Sequence, residues 1–229
     1  MKAKVWDLPV RLFHLLIILL VAVQWWTGER LDKPEVLGGW DPFVLHIWAG
    51  CSILALVLFR VVWGFAGSTT ARFSSFVKGP VSVLRYTARL FSRGEPHVPG
   101  HNPLGGWSVL LMLGFLLALP LMGLFAADED LMGAGPEGPL TGMVDSGLAD
   151  DLARWHGDAW DIFLILIGLH VAAAFFYLIV KRRNLIGAMI TGRGDVEGAE
   201  TLRFRPLWLA LLILAVTGGA VVAALWWLP

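Results

Sequence analysis

Six histidines occur in this 229-residue chain, and four of them fall inside long apolar runs, where an ionisable side chain is costly and by default functional. His14 lies in the first run, His46 in the second, and His156 and His170 in the fourth. Imidazole is a ready metal ligand, and a haem iron takes two axial ligands, one from each side. The fourth run is the informative one. In a helix, fourteen residues bring His170 to within about 40° of His156 and about 21 Å further along the axis. Two haems stacked along one helix face, one towards each membrane surface, need that arrangement.

Depth selects the partners. His156 lies just inside the outer edge of its run, and His46 follows Trp40-Asp41 by about a turn and a half. On the same count His14 is about 21 Å before Gly28, and His170 is about 24 Å beyond Arg154. His46 therefore pairs with His156 around an outer haem, and His14 with His170 around an inner one. The crossed pairing asks one haem to bridge ligands about 20 Å apart in depth. A single such histidine reads equally as a buried imidazole bonded to the next helix; four at matching depths argue for ligation.

Several other residues suit a flat, anionic macrocycle. Gly50, Gly157 and Gly168 stand near the histidines, although membrane helices favour glycine for packing as well. Arg11 and Arg60 inside, and Arg154 outside, are placed to meet haem propionates, but anchoring by positive residues explains the first two equally. His97 reads as a solvated loop residue. His101, directly before Asn102-Pro103, reads as structural at that turn, with contact to a propionate or quinone as the functional alternative.

These side chains must be carried by membrane-spanning helices. Hydrophobic residues make up 57% of the chain and charged residues 16%, against roughly a quarter in soluble domains. Five runs approach the 20 apolar residues that cross a hydrocarbon core, near 8–27, 42–65, 103–126, 152–180 and 206–228. The first is too long for a signal peptide and lacks a small-residue cleavage site, so it is read as a retained helix. Asn102-Pro103 starts the third with a cap and a proline at the first helical position. Phe73–Phe91 is amphipathic and suits the membrane interface. The glycine- and proline-rich 127–151 loop is expected to be irregular. Cys51 is the only cysteine, which excludes a disulfide, a thiolate iron–sulfur cluster and covalent haem attachment through C-x-x-C-H.

The charges are balanced, 18 basic against 18 acidic, but not evenly spread. All the basic residues except Arg30, Lys33 and Arg154 fall at the N-terminus, at Arg60, or in the 66–102 and 181–205 segments. The 28–41 and 127–151 loops are acidic. Basic loops stay cytoplasmic, which places the N-terminus inside and, after five crossings, the C-terminus in the periplasm of a bacterial inner membrane. Tryptophans at span ends (Trp6, Trp25, Trp26, Trp40, Trp63, Trp107, Trp155, Trp208, Trp226 and Trp227) read as interfacial belts in contact with lipid.

The stretch Trp6-Asp7-Leu8-Pro9-Val10-Arg11-Leu12-Phe13-His14 resembles the opening motif of the prokaryotic cytochrome b-561 family, which includes the Ni,Fe-hydrogenase b-type cytochrome subunits. Thr27-Gly28-Glu29, Arg60 with Trp63-Gly64 and Gly67-Ser68, Ala71-Arg72-Phe73, Gly100-His101-Asn102-Pro103-Leu104-Gly105 and Met189-Ile190-Thr191-Gly192 continue it. The resemblance covers about residues 5–193. It implies an all-α integral membrane protein: a four-helix bundle over 1–193 holding two non-covalent b haems, ligated from the first, second and fourth helices. It also implies electron exchange between the quinone pool and a partner redox protein, a hydrogenase or dehydrogenase subunit or a cytochrome c. The 194–229 segment, a linker and fifth helix, lies outside it. The Ala215, Gly219, Ala223 ladder of that helix suits close contact with a partner, a second copy in a homodimer, or the bundle itself.

Two other classes compete. A non-haem metal membrane oxidoreductase places histidines in short-spaced boxes near one surface, and none occurs here. A transport or structural subunit using histidines as proton relays predicts acidic residues at mid-membrane, whereas Asp158 and Asp161 lie near the outer end of the fourth helix. No nucleic-acid partner is expected.

Overall fold

The computed structural model describes residues 2–31, 41–90, 99–127, 137–196 and 198–227. Trp40, His97 and the acidic residues Asp128, Glu129 and Asp130 lie outside the described residues. The elements, in chain order, are strand β1 (Lys2–Lys4), helices α1 (Leu8–Gly28), α2 (Pro42–Ala66), α3 (Phe73–Phe76), α4 (Pro80–Ala88), α5 (Pro103–Phe125), α6 (Ser146–Ile179) and α7 (Leu185–Thr191), strand β2 (Arg193–Asp195), and α8 (Leu207–Trp227). Five of them, α1, α2, α5, α6 and α8, are long and apolar enough to cross a membrane. Leu15, Leu16 and Leu19 on α1, Ile165 and Leu169 on α6 and Leu211 and Leu212 on α8 are exposed, as lipid-facing side chains are.

An Asp or Asn starts each of five helices, because its side chain satisfies an amide that the first turn leaves without a partner. Asp7 Oδ1 accepts from Val10 N at 2.9 Å, Asp41 Oδ1 from Phe43 N at 2.8 Å, and Asn102 Oδ1 from Gly105 N at 2.7 Å. Asp145 Oδ1 accepts from Leu148 N at 3.0 Å and Asn184 Oδ1 from Gly187 N at 2.6 Å. The Asp145 cap corrects one expectation. The fourth spanning helix begins at Ser146, not near 152, so the end of the 127–151 segment is helical rather than irregular. Its first two turns carry Asp150 and Asp151, and an apolar run cannot reveal them. At 34 residues α6 is about 51 Å long, well beyond a 30 Å hydrocarbon core.

Within the amphipathic Phe73–Phe91 stretch, the residues described, 73–90, form two short helices. Pro80 starts a separate helix, α4, after the short α3. Tyr86 and Tyr177, the two tyrosines of the chain, meet hydroxyl to hydroxyl at 2.5 Å, and Asn102 Nδ2 donates to Tyr177 at 2.8 Å. Val81 and Leu84 of α4 remain exposed. A two-stranded antiparallel pair, β1 with β2, adds to the helical fold and sets Ala3 opposite Gly194.

The chain forms two compact units. One comprises 1–13, 60–113 and 165–213. It contains the strand pair and a connector to α8 held by hydrogen bonds: Thr69 N donates to Arg203 O at 3.0 Å, and Arg205 N donates to Ser68 Oγ at 3.1 Å. The other comprises 14–59, 114–164 and 214–229. Its core joins Cys51 and Leu54 of α2, Leu124 of α5, Leu140 and Val221 of α8. The fifth spanning helix thus packs on the bundle through Val221, while Ala215, Gly219 and Ala223 lie on its exposed side.

Two of the proposed interfacial tryptophans are buried within the protein and do not face lipid. Trp63 is fully buried and donates Nε1–H to Asp7, and Trp6 is buried beside His101. Trp25, Trp107, Trp155, Trp208 and Trp226 are exposed, in keeping with a belt.

Candidate functional site

His46 of α2 and His156 of α6 face each other, with ring centroids 6.2 Å apart and planes inclined at 67°. One nitrogen of each ring is already engaged. His156 Nδ1 lies 2.9 Å from the Leu119 carbonyl, which only accepts, so Nδ1 carries the proton. His46 Nδ1 lies 2.9 Å from the Thr27 hydroxyl. That hydroxyl donates its one hydrogen to the Val23 carbonyl at 2.8 Å, so it accepts from His46 Nδ1–H. Both rings therefore keep Nε2 as a lone-pair donor, the form a metal requires.

The surroundings shape the pair. A Cβ on Gly123 of α5 would stand 3.2 Å from His156 Cε1, so glycine gives this ring its room. Pro120 lies inside α5 and, having no N–H, leaves the carbonyl four residues earlier, that of Leu116, without its helical donor. A Cβ on Gly28 would meet His46 Cε1 at 3.7 Å, an ordinary contact. Thr27, Leu119 and Gly123 were not candidates on sequence grounds. Thr27-Gly28 at the end of α1 was visible only as part of a family motif, and a backbone carbonyl has no sequence signature.

The glycines singled out for a macrocycle behave differently. A Cβ added at Gly50 would meet the Gln24 amide at 2.9 Å, whereas one added at Gly157 or Gly168 would face open space among the described residues. His14 and His170 are helical and half-buried, on α1 and α6. His101 lies between the rings of Trp6 and Phe76, at 4.9 and 4.7 Å, which is a structural setting.

Among the arginines, Arg11 donates Nε–H to the Met189 carbonyl at 3.2 Å and an Nη2 hydrogen to that of Ile190, satisfying the last turn of α7. Arg154 is exposed and bonds Asp150 and Asp151 of its own helix. Arg60 is only 2% exposed, lies over the Phe73 ring with its guanidinium carbon 5.4 Å from the centroid, and has a buried Nη1 without a hydrogen-bond partner. Asp7 acts on it electrostatically.

The donor set fits an iron held between two imidazoles. His46 and His156, with ring centroids 6.2 Å apart and each with Nε2 left as a lone-pair donor, would hold the iron, and the iron would supply one-electron chemistry. Among the described residues no three or more His, Cys, Asp or Glu gather as a metal cluster. Buried Nη1 of Arg60 fits an anionic substituent such as a propionate.

A multi-pass helical membrane protein with facing imidazoles, each keeping one nitrogen for a metal, has the construction of a membrane b-type cytochrome. Residues 5–192 match the prokaryotic cytochrome b561 family, and the chain belongs to it. It is 27% identical to a probable Ni/Fe-hydrogenase B-type cytochrome subunit of Rhizobium leguminosarum bv. viciae, over 82% of this chain and 87% of that protein. It is 26% identical to a probable Ni/Fe-hydrogenase 1 B-type cytochrome subunit of Escherichia coli K12, over 82% and 88%. A probable superoxide oxidase of Yersinia pestis is also 26% identical, over 79% and 93%. Membership makes the protein a haem-binding electron carrier of the membrane.

Proposed function

We propose that this cytochrome holds two b haems between histidine pairs and passes electrons between the quinone pool and a partner redox protein. The observation that carries the reading is the His46–His156 pair, whose Nδ1 atoms are both tied down, which leaves each Nε2 lone pair available to a metal. The second pair, His14 with His170, rests on the depth count along α1 and α6. Haem supplies one-electron chemistry at an iron whose potential depends on axial ligands, their hydrogen bonds and burial. The protein supplies two orienting acceptors for His46 and His156, room at Gly123, and cations for propionates. Arg60 is the most direct of these, because its Nη1 is buried without a partner; Arg11 and Arg154 complete the proposed set.

Two relatives are described as Ni/Fe-hydrogenase B-type cytochrome subunits, which favours a hydrogenase-like partner over a soluble cytochrome c. The charge asymmetry supports a cytoplasmic N-terminus and a periplasmic C-terminus in the inner membrane. We assign residues 1–193 to the di-haem bundle and 194–229 to the linker and fifth helix. The deciding experiment is pyridine haemochrome with iron analysis on purified protein. The reading requires about two extractable b haems per chain; a value near zero overturns it, and a value near one removes the His14–His170 site.

A further inference from the structure

We infer that Thr27 is a positioning residue that sets the donor strength of His46 and thereby the potential of the haem it ligates. The inference rests on the reading of His46 as an iron ligand. Thr27 is the last polar residue of α1, fully buried, yet it carries no charge and touches no solvent. Its hydroxyl is the middle of a relay: His46 Nδ1–H donates to Oγ1 at 2.9 Å, and Oγ1–H donates to the Val23 carbonyl at 2.8 Å. The second bond polarises the hydroxyl oxygen towards the imidazole, since hydrogen bonds in series strengthen one another in a low-dielectric setting. An imidazole that donates from Nδ1 is a stronger donor at Nε2. It stabilises ferric over ferrous iron and lowers the potential. The backbone carbonyl of Gln24 also accepts from the same ring, so removing the hydroxyl weakens this orientation without abolishing it.

The asymmetry of the site sharpens the point. His156 donates to a backbone carbonyl, which no side-chain substitution at Leu119 removes. Among the described residues, Thr27 is the side chain whose hydrogen bond fixes a ring of the pair, so it is the position through which sequence can tune this haem.

The test uses the full-length protein in detergent or nanodiscs, with Thr27→Val, Thr27→Ser and His46→Ala compared with the parent. Haem content, potentiometric titration and low-spin ferric EPR are read together. Valine is isosteric and lacks the hydroxyl; serine restores it. At the potential where the parent component is half reduced, Thr27→Val should raise its reduced-to-oxidised ratio by up to about tenfold, which for one electron is 59 mV. Its EPR g values should shift, Thr27→Ser should resemble the parent, and the moved component should be the one that His46→Ala removes. Loss of that haem in Thr27→Val with retention in Thr27→Ser also supports the role. Unchanged potential and g values in a fully loaded Thr27→Val protein overturn it, as does a shift confined to the other haem. If His46→Ala keeps both haems, the ligand reading itself fails, a result distinct from either.

Discussion

Trp63 donates its indole N–H to Asp7 Oδ2 at 3.0 Å, and both side chains are buried, at 0% and 3% exposure. The other carboxylate oxygen caps α1 through Val10 N, so one aspartate fixes the start of α1 against α2. Replacing Trp63 with Phe should leave Oδ2 without its donor, at a cost of about 1–3 kcal/mol beyond the lost volume. Thermal unfolding followed by circular dichroism in detergent should show the loss. Asp7→Asn keeps one acceptor but turns its NH2 towards either Val10 N–H or Trp63 Nε1–H, and should cost at least as much.

The proposed ligand pairs give a clean assignment. His46→Ala and His156→Ala should each remove the same optical component, and His14→Ala and His170→Ala the other. Substituting His97 or His101 should leave both, although His101→Ala loses its contacts with Trp6 and Phe76 and should lower stability. Difference spectra at low temperature resolve the components. A shared loss in His46→Ala and His170→Ala would refute the depth argument.

Three glycines should differ sharply on conversion to alanine. At Gly50 the new methyl meets only the end of the Gln24 amide, at 2.9 Å, which can swing aside, so the effect should stay below about 1 kcal/mol. At Gly64 it would lie 2.1 Å from the Phe73 ring, and overpacking of that kind costs about 1–3 kcal/mol or more. Gly123→Ala crowds His156 Cε1 at 3.2 Å, so haem content and the spectrum of that component should change more than overall stability. Gly123→Val should empty the component.

The acidic 127–151 segment provides a test of partner type. If a basic soluble protein exchanges electrons beside it, the rate should fall as salt shortens the Debye length from about 8 Å at 0.15 M. Neutralising Asp128, Glu129 and Asp130 should then slow association while leaving haem spectra intact. A rate insensitive to both changes assigns the acidic residues to membrane topology and the partner to a helix-mediated interface.

Membrane class, the number of spanning helices and the four intramembrane histidines were legible because each depends on composition and spacing. The start of α6 was not, since Asp150 and Asp151 mask two helical turns that only the Asp145 cap discloses. Trp63 misled for a related reason. Tryptophan near a span end reads as an interfacial anchor, but here its N–H answers a buried carboxylate fifty-six residues away. Thr27, the Leu119 carbonyl and Gly123 escaped notice because an orienting role exists only once three helices meet, and no periodicity encodes it.

The β1–β2 pair joins Lys2–Lys4 to Arg193–Asp195, with Val5 N also donating to Gly192 O at 2.8 Å. On a ribosome making 5–20 residues per second, the first strand waits roughly 10–40 s for its partner to be translated. The amino end therefore emerges early but is locked late, after four spanning helices have been synthesised. A fusion at the N-terminus would burden the last seam of the fold to close, whereas a tag after residue 229 leaves that seam alone.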